Sequence, residues 1–81
     1  MKLPRDLSGR ELIRRLERLG YQVSRCRGSH VRLTTQQQGE HHITIPDHDE
    51  IRPGTLSSIL SDVAIHFGME REELARRLLS E

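Results

Sequence analysis

The sequence predicts an α+β fold: a single small domain in which helices pack on one face of a three-stranded antiparallel sheet and leave the other face open. Three observations point there. Apolar residues at helical spacing occupy both ends of the chain, three short stretches of period-two alternation lie between them, and a tight reversal and a polar loop join those stretches. With 81 residues, 33% of them hydrophobic, the chain can bury one layer of helices against one sheet and little more. A large enclosed substrate cavity is therefore not expected, and function should lie on the open face.

The first helix starts at "DLSGREL", where Ser8 is placed as N-cap, Glu11 completes a capping box and Leu7 can staple against Leu12. Leu12, Ile13, Leu16 and Leu19 form one apolar stripe, and Gly20 is the left-handed stop. Arg10, Arg14, Arg15 and Arg18 lie off that stripe, which predicts a basic outer surface. In "YQVSRC", Tyr21 and Val23 alternate with Gln22 and Ser24, the period of a first strand. "RG" then makes a tight reversal, because Gly28 accepts positive φ without steric cost.

The second strand, "SHVRLTT", sends Val31 and Leu33 inward and so places His30, Arg32 and Thr34 on the open face. "QQQGE" is a polar loop. The third strand, "HHITIP", sends Ile43 and Ile45 inward, which leaves His42 and Thr44 on the face of His30, and Pro46 ends it for want of a ladder N–H. After the acidic "DHDE", Pro53 stands at a first helical position and Leu56, Ile59, Leu60 and Val63 form a core stripe that Gly68 terminates. A last helix is expected over "MEREELARRLLSE". Glu70, Glu72 and Glu73 stand in its first turn and Arg76 and Arg77 near its end, the order a helix dipole favours, with Leu74 and Leu78 packing it down. The expected order is αβββαα, without internal repeats or an interdomain linker.

Charge is distributed unevenly. Residues 1–35 carry nine Lys or Arg against three acids, a balance of +6, whereas residues 36–81 carry four Arg against nine acids, a balance of −5. Lys2 is the sole lysine, and the planar fork of arginine suits phosphate better than a point charge. Either the basic half binds a polyanion or the two halves neutralise each other. Cys26 is alone, so no internal disulfide forms, which favours a reducing, cytoplasmic setting. The N-terminal "MKLPRDLSGRE" lacks the apolar run of a signal peptide, and no stretch is apolar enough to cross a bilayer, so no membrane partner is expected.

Among the candidate chemical groups, His30 follows a glycine turn, opens the central strand and has Arg25, Arg27 and Arg32 within a few residues. A neutral imidazole there can take a proton from a ribose 2′-hydroxyl while guanidinium groups hold the adjacent phosphate. RNA would be cut and DNA spared, because only RNA has that nucleophile. On spacing alone an exposed strand histidine without a role is the better reading. His41, His42 and His48, with Asp47 and Asp49, are donor types suited to zinc, but adjacent strand residues face opposite ways and no regular ligand spacing occurs, so no metal is expected. His66 reads as a helix-end cation or packing residue, and Cys26 as a small, partly buried strand residue. "RPGTL" offers either helix amides for a phosphate or only a helix start. Phosphate-loop, nucleophile-elbow and dinucleotide-turn motifs are missing from the sequence.

The succession "SGRELIRRLERLGY", "RGSHV", "ITIPDH" and "IRPGTLSSIL" resembles the HicA (YcfA-like) family of toxin ribonucleases from bacterial type II toxin–antitoxin systems. The resemblance runs over roughly residues 8–79 of one domain, 1–81, and the order G-S-H, P-x-H, P-G-T-L-x-x-I-L is what makes it specific. It implies a double-stranded-RNA-binding-like fold, metal-independent and cofactor-free cleavage of mRNA by a single strand histidine, and a HicB-type antitoxin that covers the active face. On the family pattern His30 is the catalytic residue, and Gly28 and Ser29 form the turn that presents it. Arg25, Arg27 and Arg32 are candidate phosphate-binding groups, and His42 and His48 are candidate supporting residues. The stretch "SDVAIHFGMEREEL" is longer than the family's usual link. A non-catalytic double-stranded-RNA-binding module and a protein-pairing adaptor of the same fold are the rival expectations.

Overall fold

The computed structural model describes residues 6–79; Lys2 and the first residues of the N-terminal stretch assessed for a signal peptide lie outside them. Helix α1 (Gly9–Leu16) runs into a 3-10 turn (Glu17–Leu19), followed by strands β1 (Gln22–Arg27), β2 (His30–Thr35) and β3 (His41–Pro46) and helices α2 (Pro53–Phe67) and α3 (Arg71–Leu79). The strands pair antiparallel in the order β1-β2-β3. The α+β class with three antiparallel strands and three helices is the one the sequence predicts. Glu70 precedes α3 rather than opening it.

Ser8 caps α1, its hydroxyl accepting from the Glu11 amide at 3.0 Å. The expected capping box is only half formed, because the Glu11 carboxylate turns to Arg14 and Arg15 instead. Burial alone would raise the Glu11 carboxyl, but the hydrogen bonds and charges of those two arginines outweigh it and hold it below its ordinary value. Leu12 and Leu16 are fully buried, and Gly20 ends the turn at φ 83, the left-handed conformation that suits glycine.

Helices α1 and α2 pack against β3, and their leucines meet Val31, Leu33, Ile43 and Ile45 in one core with Leu74 and Leu78 of α3. Strand β1 is left at the uncovered edge and all six of its residues are exposed, Val23 at 54%. Cys26 is exposed with them, which corrects the expectation of a partly buried thiol.

Tyr21 is fully buried; its hydroxyl is hydrogen-bonded to His41 Nδ1 at 2.7 Å, and the other His41 nitrogen reaches Asp62 at 3.2 Å. Burial, reinforced by the charge of Asp62, pushes the phenol well above its ordinary pKa. His66 stacks on His41 with centroids 4.4 Å apart and donates to the Gln37 carbonyl at 2.9 Å, so it packs a corner of the core.

Of the arginines of α1 and the 3-10 turn, which the sequence reads as a basic outer surface, Arg10, Arg14 and Arg18 are exposed, but all four are engaged within the fold. Arg14 pairs with Glu11, Arg15 donates to the Leu78 carbonyl and Arg18 to the Arg77 carbonyl at the end of α3, and Arg10 binds two aspartates of the loop after β3. The basic and acidic halves are thus partly joined through this helix. No helix among the described residues is long and apolar enough to cross a membrane.

Candidate active site

Strict alternation from Tyr21 would place Arg25 and Arg27 on the helix side of the sheet. A β-bulge at Ser24 prevents this. Gln22 pairs with Thr34 and Val23 with Leu33, but the next pair is Arg25 with Arg32, so Ser24 is the extra residue. Directly opposed residues project to the same face. Arg25 therefore joins Arg32, and Arg27 joins His30, on the open face. Gly28, at φ 59, and Ser29 close the two-residue turn between them, and His30 is exposed. None of the three arginines has an ion-pair partner among the described residues.

A groove of about 470 Å³ opens beside His30. The sheet contributes His30, Thr44 and Pro46, the following loop His48 and Glu50, and the start of α2 Arg52 and Thr55. His48, one of the two histidines named as support, is thus brought to His30. Arg52 and Thr55 belong to the "RPGTL" stretch that the sequence offers either as helix amides for a phosphate or only as a helix start, whereas nothing in the sequence marks Glu50 as a site residue. Among the described residues no side chain caps that helix, so its first amides are left for another acceptor.

The loop carrying His48 is pinned from three sides. Gly9 N–H donates to the His48 carbonyl at 2.9 Å, and Asp47 N–H donates to the Ser29 carbonyl at 2.6 Å. Ile51, buried at the far end, donates its N–H to Leu7 O at 2.8 Å. Arg10 spans the loop, with Nη1 2.9 Å from Asp47 Oδ1 and Nη2 2.8 Å from Asp49 Oδ1. The hydrogen bond to Asp49 and the charge of Asp47 raise the already high pKa of this guanidinium. The approach of α1 to the loop is so close that a Cβ on Gly9 would lie 2.1 Å from the Pro46 carbonyl oxygen.

His42 does share the open face, but it pairs with Thr34, four residues along β2 from His30, a separation of about 13 Å at strand rise. It does not line the groove. Its Nδ1 lies 2.8 Å from Thr34 Oγ1 and its Nε2 2.7 Å from Glu40 Oε2, and Thr34 in turn donates to Ser24 Oγ at 2.8 Å. His41 faces the other way, toward Tyr21 and Asp62. Among the described residues no three His, Cys, Asp or Glu side chains converge as a metal-ligand group.

No curated protein and no solved structure matches the chain. A family model described as the HicA toxin of bacterial toxin–antitoxin does match, over residues 9–65, a span that includes the Gly28–Ser29 turn, His30, His48 and the start of α2. With well over half of its length inside that match, the chain belongs to the HicA toxin family of bacterial toxin–antitoxin systems.

Proposed function

We propose that the protein is an endoribonuclease that cleaves mRNA, with His30 as the proton-transferring residue. The observation that carries this reading is the exposed His30 opposite Arg27 on a face where Arg25 and Arg32 also lie without acidic partners. A phosphodiester held by those guanidinium groups would have its negative charge offset as it builds toward the transition state. The ring of His30 would take the 2′-hydroxyl proton, a contribution of about 10²–10⁴-fold. Gly28 and Ser29 present the ring, and the uncapped start of α2 offers further amide donors to a phosphate in the same groove. The attack needs no metal, because the nucleophile belongs to the substrate.

As a member of a toxin family of toxin–antitoxin systems the protein pairs with an antitoxin. We take this to be a HicB-type protein that covers the open sheet face in the cytoplasm. Expressed without it, the wild-type chain should arrest growth and degrade transcripts, while His30→Ala should fold and be harmless; equal toxicity of the two would overturn the assignment. Purified protein should cut RNA in the presence of a chelator and leave cyclic-phosphate or 3′-phosphate ends. Salt-sensitive RNA binding without cleavage would instead favour a binding module.

A further inference from the structure

We propose that His48 is the general acid that protonates the departing 5′-oxygen, which makes the reaction one of two imidazoles that line the same groove. The proposal rests on the reading of His30 as general base and adds to it a second catalytic group.

The chemistry requires such a group. When the 2′-oxygen attacks phosphorus in line, the bond to the 5′-oxygen breaks on the opposite side, so the imidazole that accepts the attacking proton cannot reach the leaving atom in the same step. An unprotonated alkoxide leaves slowly at neutral pH, and a positioned proton donor lowers that barrier. The groove residues narrow the choice of donor. Arg52 brings a guanidinium suited to holding phosphate, Glu50 a carboxyl group, and Thr44 and Thr55 hydroxyls. Apart from His30, His48 is the one imidazole among the described residues that line the groove, and imidazole is the side chain most often used to pass a proton in catalysis.

Backbone hydrogen bonds bring the two histidine positions together. Ser29 and Asp47, each the residue immediately before one of the histidines, are joined by the 2.6 Å bond from Asp47 N–H to Ser29 O. The His48 carbonyl is held by Gly9, and the aspartates on either side of His48 are both engaged by Arg10. The loop is thus anchored at three consecutive residues, and the exposed His48 side chain lines the groove from it. The charged groups around it are Glu50 and Arg52 in the groove, Asp47 and Asp49 beside it in the chain with Arg10 bound to both, and Arg27 across the turn beside His30.

The step balances without a co-reactant. His30 takes the 2′-proton, the bond from the 2′-oxygen to phosphorus forms, the bond from phosphorus to the 5′-oxygen breaks, and the His48 imidazolium gives its proton to that oxygen. The products are a 2′,3′-cyclic phosphate and a 5′-hydroxyl, with His30 left protonated and His48 neutral.

The test compares a short RNA with an ordinary scissile linkage and the same RNA bearing sulfur in place of the 5′-bridging oxygen, since a thiolate leaves without protonation. His48→Ala should slow cleavage of the ordinary linkage by about 10²–10⁴-fold, yet cut the sulfur-bridged linkage within about tenfold of the wild-type rate. That second rate also shows the variant to be folded. The wild-type pH profile of kcat/KM should be bell-shaped, and His48→Ala should lose the fall on its alkaline side. Equal losses on both linkages, or no loss on either, would overturn the role of His48 and leave that of His30 intact. Undiminished cleavage of both linkages by His30→Ala would instead overturn the underlying reading, and this one with it.

Discussion

Gly9 shows how much of the site depends on a single side chain being absent. Its N–H holds the His48 carbonyl, and a Cβ there would meet the Pro46 carbonyl oxygen at 2.1 Å, closer than atoms tolerate. Alanine is the better helix former by roughly 0.5–1 kcal/mol. The clash is with backbone, however, and relieving it means moving the loop away from Arg10 and Ser29. Overpacking of this kind costs about 1–3 kcal/mol, so the collision should win. Gly9→Ala is accordingly expected to lower Tm by several degrees, on the scale of about 4–8 °C per kcal/mol for a domain of this size. It should also slow RNA cleavage, because the loop that moves carries His48; a rise in Tm would show that the close approach is not limiting. The glycine was legible in "SGREL" only as part of a helix start. Its partners stand at positions 46 to 48, and no local pattern reports an approach over that separation. His30, by contrast, was legible from its own neighbours, since a turn glycine and strand alternation suffice to expose it.

At the scale of elements, strands β2 and β3 were legible because their alternation is unbroken, and β3 runs over His41–Pro46 as the sequence suggests. Strand β1 was legible as a strand but not in its facing. Nothing in "YQVSRC" marks Ser24 as an extra residue, yet the bulge decides whether Arg25 and Arg27 share a face with His30. A deletion tests this directly. Without Ser24 the strand reads Gln22, Val23, Arg25, Cys26, Arg27, a regular alternation that keeps Gln22, Arg25 and Arg27 on the open face in register with Thr34, Arg32 and His30. The deletion should therefore be tolerated, with cleavage within a few-fold of wild type. Its cost should be that of the hydrogen bonds Ser24 makes to Thr34 and to the Arg32 carbonyl, on the order of 1 kcal/mol each. Circular dichroism and a cleavage assay would check both. A folded but inactive deletion variant would mean that the bulge, and not the facing it produces, is what the site uses.

Over the whole molecule, the charge split between the two halves of the chain was plain in the sequence, but its use was not. The count left open whether the basic half serves a polyanion or cancels against the acidic half, and the structure divides the arginines between these uses. Arg10, Arg14, Arg15 and Arg18 are engaged within the fold, by loop aspartates, Glu11 and the last carbonyls of α3. Arg25, Arg27 and Arg32 lie together on the open face with no acidic side chain bound among the described residues. Counterion release separates the two groups by experiment, because only arginines that displace cations from the nucleic acid contribute to the salt dependence of binding. Affinity for a single-stranded RNA should be measured against salt concentration in a His30→Ala background, so that the strand stays intact. Replacing Arg25, Arg27 and Arg32 together by glutamine should make the slope of log K against log salt shallower by about 0.7 for each phosphate no longer neutralised, roughly 2 units in all. Replacing Arg14 and Arg18 should leave the slope unchanged within a few tenths. The first helix is itself exposed and rich in arginine, so an equal change from both sets would mean that RNA lies across α1 as well, and that the open sheet face is not the only surface that meets the strand.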